Sequence, residues 1–210
     1  MKKLLLVVLF GSLLVSCSND LDDISLESNS FFNINQGNKW VYKKYESSGF
    51  GPATYSNIID SVEVIGDEFI EGLNYKKIRH RLYWFSDLQS ETFEYLRTNP
   101  NDHLVDSEGV VKHSGFDTEF SYSFIHNYPG TSTQMGETIY QLQATQDEIV
   151  EGNSFVISNY HGNFTSYDSM IPNNHIDYKY SEGIGMISNH CPSVSGSYYY
   201  EFRLVYYEIN

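Results

Sequence analysis

The sequence predicts an all-β fold, an antiparallel meander curling toward a barrel or sandwich, with little helix. Three observations predict it. Short runs rich in aromatic and β-branched residues recur along the chain, parted by Gly, Asn, Asp and Ser, the pattern of strands joined by hairpin turns. The chain carries eighteen Tyr and thirteen Phe, residue types that fit a pleated, half-buried surface. Beyond the N-terminal segment, no stretch sustains the 3.6-residue apolar period of an amphipathic helix.

Taken in order, the chain opens on Met1-Lys2-Lys3 and an unbroken apolar run, Leu4 to Val15. A run of about a dozen residues falls short of the roughly 20 that span a bilayer. A basic start, a short apolar stretch and a small residue at its end read as an export signal over residues 1–16. Residues 17–30 are polar, acidic and poor in aromatics, and read as a flexible tether. From residue 31 to 210 a single β-domain is expected, long enough for one core. Its strands are read at 39–45, 58–65, 75–85, 92–98, 120–125, 138–144, 154–158, 175–181 and 198–209. The last run is the clearest: Tyr198, Tyr200, Phe202, Leu204 and Tyr206 share one face, while Glu201 and Arg203 lie on the other.

Two segments echo one another, Asp67-Glu-Phe-Ile-Glu-Gly-Leu-Asn-Tyr75 and Asp147-Glu-Ile-Val-Glu-Gly-Asn-Ser-Phe155. Each reads as strand, acidic turn, strand, with Gly72 and Gly152 at turn positions that need positive φ. A hairpin repeat over 67–75 and 147–155 is one explanation, and chance likeness between two turns is the other.

Leu14-Val15-Ser16-Cys17 resembles the lipobox of bacterial lipoproteins. The resemblance implies that the Cys17 thiol takes a diacylglycerol and that cleavage falls between Ser16 and Cys17. The new amino group would then accept a further acyl chain such as palmitate. Two or three chains anchor stably where one gives only marginal binding. Asp20, Asp22 and Asp23 loosely resemble a signal for export to the outer leaflet of the outer membrane, and a merely solvated linker explains them equally well. The expected location is therefore the cell envelope, on the outer membrane, with the leaflet undecided.

Phe31 to Tyr42, "FFNINQGNKWVY", resembles the opening F-x-x-x-x-G-N-x-W-x-Y of uncharacterised bacterial envelope and secreted proteins. "EYLRTNPNDHLV" (94–105) and "SEGIGMIS" (181–188) are similar to two further segments of theirs. The resemblance implies an antiparallel β-domain and no known activity. The sequence departs from that pattern at Asp102-His103, where a glycine turn is usual.

Composition narrows the function. With 27 acidic against 13 basic residues the net charge is −14, and loss of the signal removes Lys2 and Lys3 as well. This argues against nucleic acid and against adsorption to anionic lipid, both of which need basic patches. With Cys17 acylated, Cys191 has no disulfide partner, and it reads as a buried, inert thiol. Its neighbour His190 points to the opposite face of any strand. The carboxylates of the two acidic turns read as solvated, without calcium-loop spacing, and no zinc spacing is present among the seven histidines. No nucleophile elbow, phosphate loop or dinucleotide fingerprint occurs, so no catalytic residue, metal or cofactor is assigned.

Tyr83, Trp84 and Phe85 form the densest aromatic cluster and are the candidates for stacking on a ligand ring, although Trp40 and Trp84 are both expected in the core. Asp60-Ser61-Val62 and Asp168-Ser169-Met170 look like an O-glycosylation acceptor motif of some Gram-negative envelopes, making Ser61 and Ser169 candidates. The expected function is a non-enzymatic binding or accessory module for a glycan, peptide or envelope protein. A structural or assembly scaffold facing the periplasm is the second reading, and an unusual hydrolase the third.

Overall fold

The computed structural model describes residues 30–48, 51–193 and 198–210. Among them are thirteen strands and no helix: β1 (Lys39–Ser47), β2 (Thr54–Ile70), β3 (Leu73–Trp84), β4 (Asp87–Thr98), β5 (Leu104–Asp106), β6 (Val111–His113), β7 (Ser121–Asn127), β8 (Gln134–Leu142), β9 (Gln146–Val150), β10 (Asn153–Ser166), β11 (Asn174–Ser181), β12 (Gly185–Pro192) and β13 (Tyr199–Glu208). They form one antiparallel sheet, nearly closed into a barrel, in the order β6-β5-β4-β3-β2-β1-β13-β12-β11-β10-β8-β7, with β9 pairing the start of β10. The all-β expectation holds. The sequence runs missed β5, β6 and β12; the first two are only three residues long, and Asn189, His190 and Pro192 break the apolar pattern of the third.

Alternation along each strand puts one face inside. Trp40 and Tyr42 of β1, Val62 and Val64 of β2, Ile78 of β3, Leu96 of β4, Leu104 of β5 and Leu204 of β13 are all buried. Burying a large apolar side chain stabilises the fold by about 1.5–3 kcal/mol. In β13 the alternation holds through Leu204 and then breaks. A bulge where Val41 and Tyr42 meet Tyr206 and Leu204 shifts the register, leaving Tyr206 53% exposed, because an extra residue in one strand re-aims those beyond it.

The short motifs prove to be joints. The Trp40 indole donates to Ile184 O at 2.6 Å, and the Tyr42 hydroxyl donates to Met186 O at 2.9 Å. Gly185, at φ 113°, lies against the indole, where a Cβ would come within 3.2 Å of Nε1. Buried Asn38 donates to Asn33 O and accepts from the Asn210 backbone. The Gly-Asn-x-Trp-x-Tyr segment therefore grips Glu-Gly-Ile-Gly from about 140 positions away.

At the departure from that pattern, Asp102 adopts φ 58°, a left-handed conformation that Asp tolerates better than most residues. Its carboxylate takes the Ser30 hydroxyl at 2.7 Å and the Phe31 amide at 3.0 Å. A glycine would make the turn without tying down the start of the domain.

Residues 67–75 and 147–155 are both hairpins with equivalent turns: Glu71 and Gly72 at φ 50° and 84°, Glu151 and Gly152 at 49° and 83°. Positive φ at both central residues suits the strand twist. Glu71 and Asp147 are exposed, as expected of solvated turns, whereas the other four carboxylates are ion-paired. Asp67 meets Lys76 and Glu68 meets Lys77 within the first hairpin. Glu148 reaches Lys179 of β11 at 2.8 Å and Glu151 reaches Arg203 of β13 at 3.8 Å, so the second hairpin is fastened onto the sheet.

Candidate functional site

The barrel encloses a cavity of about 590 Å³, within the usual range for small-molecule sites. Much of its wall is aromatic: Trp40, Tyr42, Phe124, Tyr140, Tyr160, Tyr178, Tyr180 and Phe202 all line it. Tyr140 and Tyr160 stack at 5.1 Å between centroids and 13° between planes. Their hydroxyls titrate above the ordinary tyrosine range because burial disfavours the phenolate, Tyr140 at about 12 and Tyr160 higher still. His113, fully buried at the end of β6, packs against Phe31, Tyr160 and Tyr180. Its Nδ1 accepts from the Gly115 amide at 3.0 Å, leaving Nε2 to donate to the Ser158 hydroxyl at 3.4 Å. Burial pushes His113 down to about 3, so the ring is neutral.

One wall carries charge. Asp60 of β2, His80 of β3, Glu94 of β4, Asp106 of β5 and Lys112 of β6 all line the cavity. They form a chain of alternating sign. His80 Nδ1 lies 3.0 Å from Asp60 Oδ2 and its Nε2 lies 3.6 Å from Glu94 Oε2. Lys112 Nζ lies 3.6 Å from Glu94 Oε1 and 3.1 Å from Asp106 Oδ2. Burial alone would lower the His80 pKa, but Asp60 and Glu94 outweigh it and raise it to about 9. Burial would likewise raise Glu94, and His80 and Lys112 hold it below its ordinary value. Lys112 is raised against burial by Glu94 and Asp106. Each of these three groups is driven further into its charged form. A general acid and base pair needs pKa values pushed apart toward working pH, and this network does the opposite. It is built to hold charge.

Two residues of the lining each carry a buried polar atom that is left over. Among the described residues, neither Asp60 Oδ1 nor the Tyr160 hydroxyl has a hydrogen-bond partner, and Tyr160 is 1% exposed. An orphaned buried polar group costs about 1–3 kcal/mol. At the other end of the chain, both Asp106 oxygens are used: Oδ2 by Lys112, Oδ1 by the Glu108 and Val110 amides. A second depression, of about 470 Å³, shares His80, Glu94, Asp106 and Lys112 with the cavity.

Sequence reasoning missed this wall, yet a signal was present. Asp60 is in phase with Val62 and Val64, His80 with Ile78, Glu94 with Leu96, and Asp106 with Leu104. A charged residue two positions from a buried aliphatic residue, repeated over four adjacent strands, marks a polar patch on an inner face.

The residues singled out from sequence lie elsewhere. Cys17 and Ser16 fall outside the described residues. Tyr83, Trp84 and Phe85 sit at the tip of the β3–β4 hairpin, away from the cavity lining. Trp84 is 52% exposed and packs on Phe85 at 5.4 Å, which corrects its assignment to the core. The tight turn has Phe85 and Ser86 at positive φ, and Phe85 is exposed there as well. Trp40 is in the core. Ser61 is half-buried within β2, and Ser169 is exposed in the turn after β10. Cys191 is buried, its thiol raised chiefly by desolvation.

On another part of the sheet, His161, His175 and His190 stack in a row at 5.6 and 5.2 Å, with Asp177 2.7 Å from His161. Among the described residues no group of His, Cys, Asp and Glu is arranged to hold a metal ion.

No protein-family model and no curated protein matches the chain. Two solved structures resemble it. One is a "putative exported protein with YmcC-like fold" from Bacteroides fragilis, 11% identical, with a TM-score of 0.51, covering 85% of this chain and 98% of that one. The other is a "putative lipoprotein" from Parabacteroides distasonis, 13% identical, with a TM-score of 0.46 and the same coverage. The first supports the fold and nothing finer.

Proposed function

We propose that this chain is a lipid-anchored envelope protein of the outer membrane that binds a small ligand inside its barrel without transforming it. The observation that carries the binding role is the cavity of about 590 Å³ with an aromatic lining and two unpartnered polar atoms. The charge wall supports holding over catalysis, since none of its shifted groups is poised to move a proton near neutrality. The anchor reading rests on the export signal and Cys17, in keeping with the naming of the Bacteroides fragilis protein as exported.

Cys17→Ala is expected to abolish acylation and move the protein from the membrane fraction to the soluble one. Labelled fatty acid still entering the variant would refute the anchor. For the cavity, Met186→Trp places a large ring in the lining while leaving intact the backbone carbonyl that receives Tyr42. With the full chain in nanodiscs, the neutral fluorophore N-phenyl-1-naphthylamine should bind saturably to the wild type and at least about tenfold more weakly to this variant, a difference of about 1.4 kcal/mol. Equal binding would remove the cavity from the account.

A second reading has its own observation. Strand β7 pairs only with β8 among the described residues and ends the sheet. Its open edge suits strand addition by an envelope protein, the contact a scaffold would use.

A further inference from the structure

Resting on the cavity reading above, we propose that the ligand is a hydrophobic amine, its cationic head donating to Asp60 Oδ1 and its apolar body lying among the tyrosine rings.

The charge wall is a linear run: Asp60, His80, Glu94, Lys112, Asp106. Signs alternate along it, and a carboxylate closes each end. The Asp106 end is complete, with both oxygens bonded. The Asp60 end is not. His80 occupies Oδ2, while Oδ1 is buried and accepts nothing among the described residues. The next member of an alternating series at that end is a cation with a proton to donate, and three carboxylates against two cations leave the wall one negative charge in excess.

The remaining lining excludes other ligand chemistries. An anionic head would face an unpaired carboxylate oxygen in a chain of net charge −14, and like charges in a poorly solvated site repel strongly. An oligosaccharide brings hydroxyls along its whole length, whereas outside the charge wall the lining is mostly aromatic and aliphatic. Each hydroxyl buried without a partner would cost about 1–3 kcal/mol. The glycan expectation therefore fits this cavity poorly. Aromatic faces, by contrast, attract organic cations and accept apolar chains equally well, and Tyr42 and Tyr180 stand beside the acidic wall, where Asp60 and Glu94 raise their hydroxyls in addition to burial.

The test uses three probes that share one body: 4-phenylbutylamine, 4-phenylbutanol and 4-phenylbutyrate, titrated calorimetrically into the full chain in nanodiscs, with empty nanodiscs subtracted. The amine should bind about tenfold or more tighter than the alcohol, because both can donate to the carboxylate but the ammonium alone adds an opposite charge in a partly buried site. The carboxylate should give no measurable heat. Asp60→Asn should weaken the amine far more than the alcohol and so erase the amine's lead, while Asp60→Glu, which keeps the charge, should restore it. Alcohol or carboxylate binding as tightly as the amine would overturn the amine assignment and leave the cavity reading standing. An undiminished amine in Asp60→Asn would do the same. No saturable heat from any of the three, with Met186→Trp binding the fluorophore like the wild type, would bring down both.

Discussion

Gly162→Val is expected to lower the unfolding free energy by about 3 kcal/mol, the upper range for forcing bulk into a packed interior. Gly162 lies in β10, directly opposite Tyr140 of β8 and Ile176 of β11. The Tyr140 ring lies flat across it, and any Cβ would run into that ring and into Thr138 Cγ2, which stands 2.7 Å from the position it would take. Two neighbouring strands fix the backbone, so the ring must leave. When it leaves, the stack with Tyr160 goes too, and with it part of the cavity wall. Chemical denaturation would read the loss. A double variant with Tyr140→Ala should recover part of it, since residues in contact are energetically coupled. A Gly162→Val protein as stable as the parent, or a double variant showing plain additivity, would defeat the account.

Stability should also pass through a maximum near pH 6.5, because two histidines pull in opposite directions. His113 falls to about 3 in the folded state. Its contribution is therefore complete above about 6.5 and is lost as pH falls toward 3, where the unfolded chain takes a proton that the native ring refuses. His80 rises to about 9. Its contribution is complete below about 6.5 and is lost as pH climbs toward 9. At about 1.4 kcal/mol for each pH unit of displacement, the acid limb amounts to about 3 kcal/mol by pH 4.5 and about 5 kcal/mol by pH 3, and the alkaline limb to about 3.5 kcal/mol by pH 9. Denaturation midpoints from pH 4.5 to 9 would trace both limbs, above the range where most carboxylates titrate. His113→Phe should flatten the acid side and His80→Gln the alkaline side. A flat profile, or one in which the two variants exchange effects, would contradict the assignment.

Alternation made the fold readable. Runs such as Ile58–Ile65 and Tyr198–Ile209 have too little helical period and too much β-branched and aromatic content to be anything but strands. The motif residues were readable as well, although their purpose was not: that Trp40 reaches Ile184 depends on β1 and β12 both flanking β13, which no local pattern encodes. Trp84 was misplaced because aromatics favour strands whether buried or not, and burial at a hairpin tip depends on what covers it. The charge wall stayed hidden for a different reason. Its members are spread from position 60 to position 112, and each in isolation resembles an ordinary outward-facing charge. Only the register of five strands lines them up.

The strand order carries a consequence for assembly. β1 leads outward through β6 by neighbouring steps, and β7 leads back toward β13 in the same manner, apart from the excursion of β9. Nearly every pairing is therefore local in sequence, and the exception is the seam where β1 meets β13, Lys39 opposite Glu208. As the chain emerges from a ribosome or a translocation pore, each flank can form from what is already present, while β1 waits with one side bare until β13 arrives. Closure of that seam seats Trp40 and Leu204 together and shuts the cavity. On the proposed function, a chain with this order would have a complete ligand cavity only after its last strand has emerged, so it would not pick up a ligand in transit.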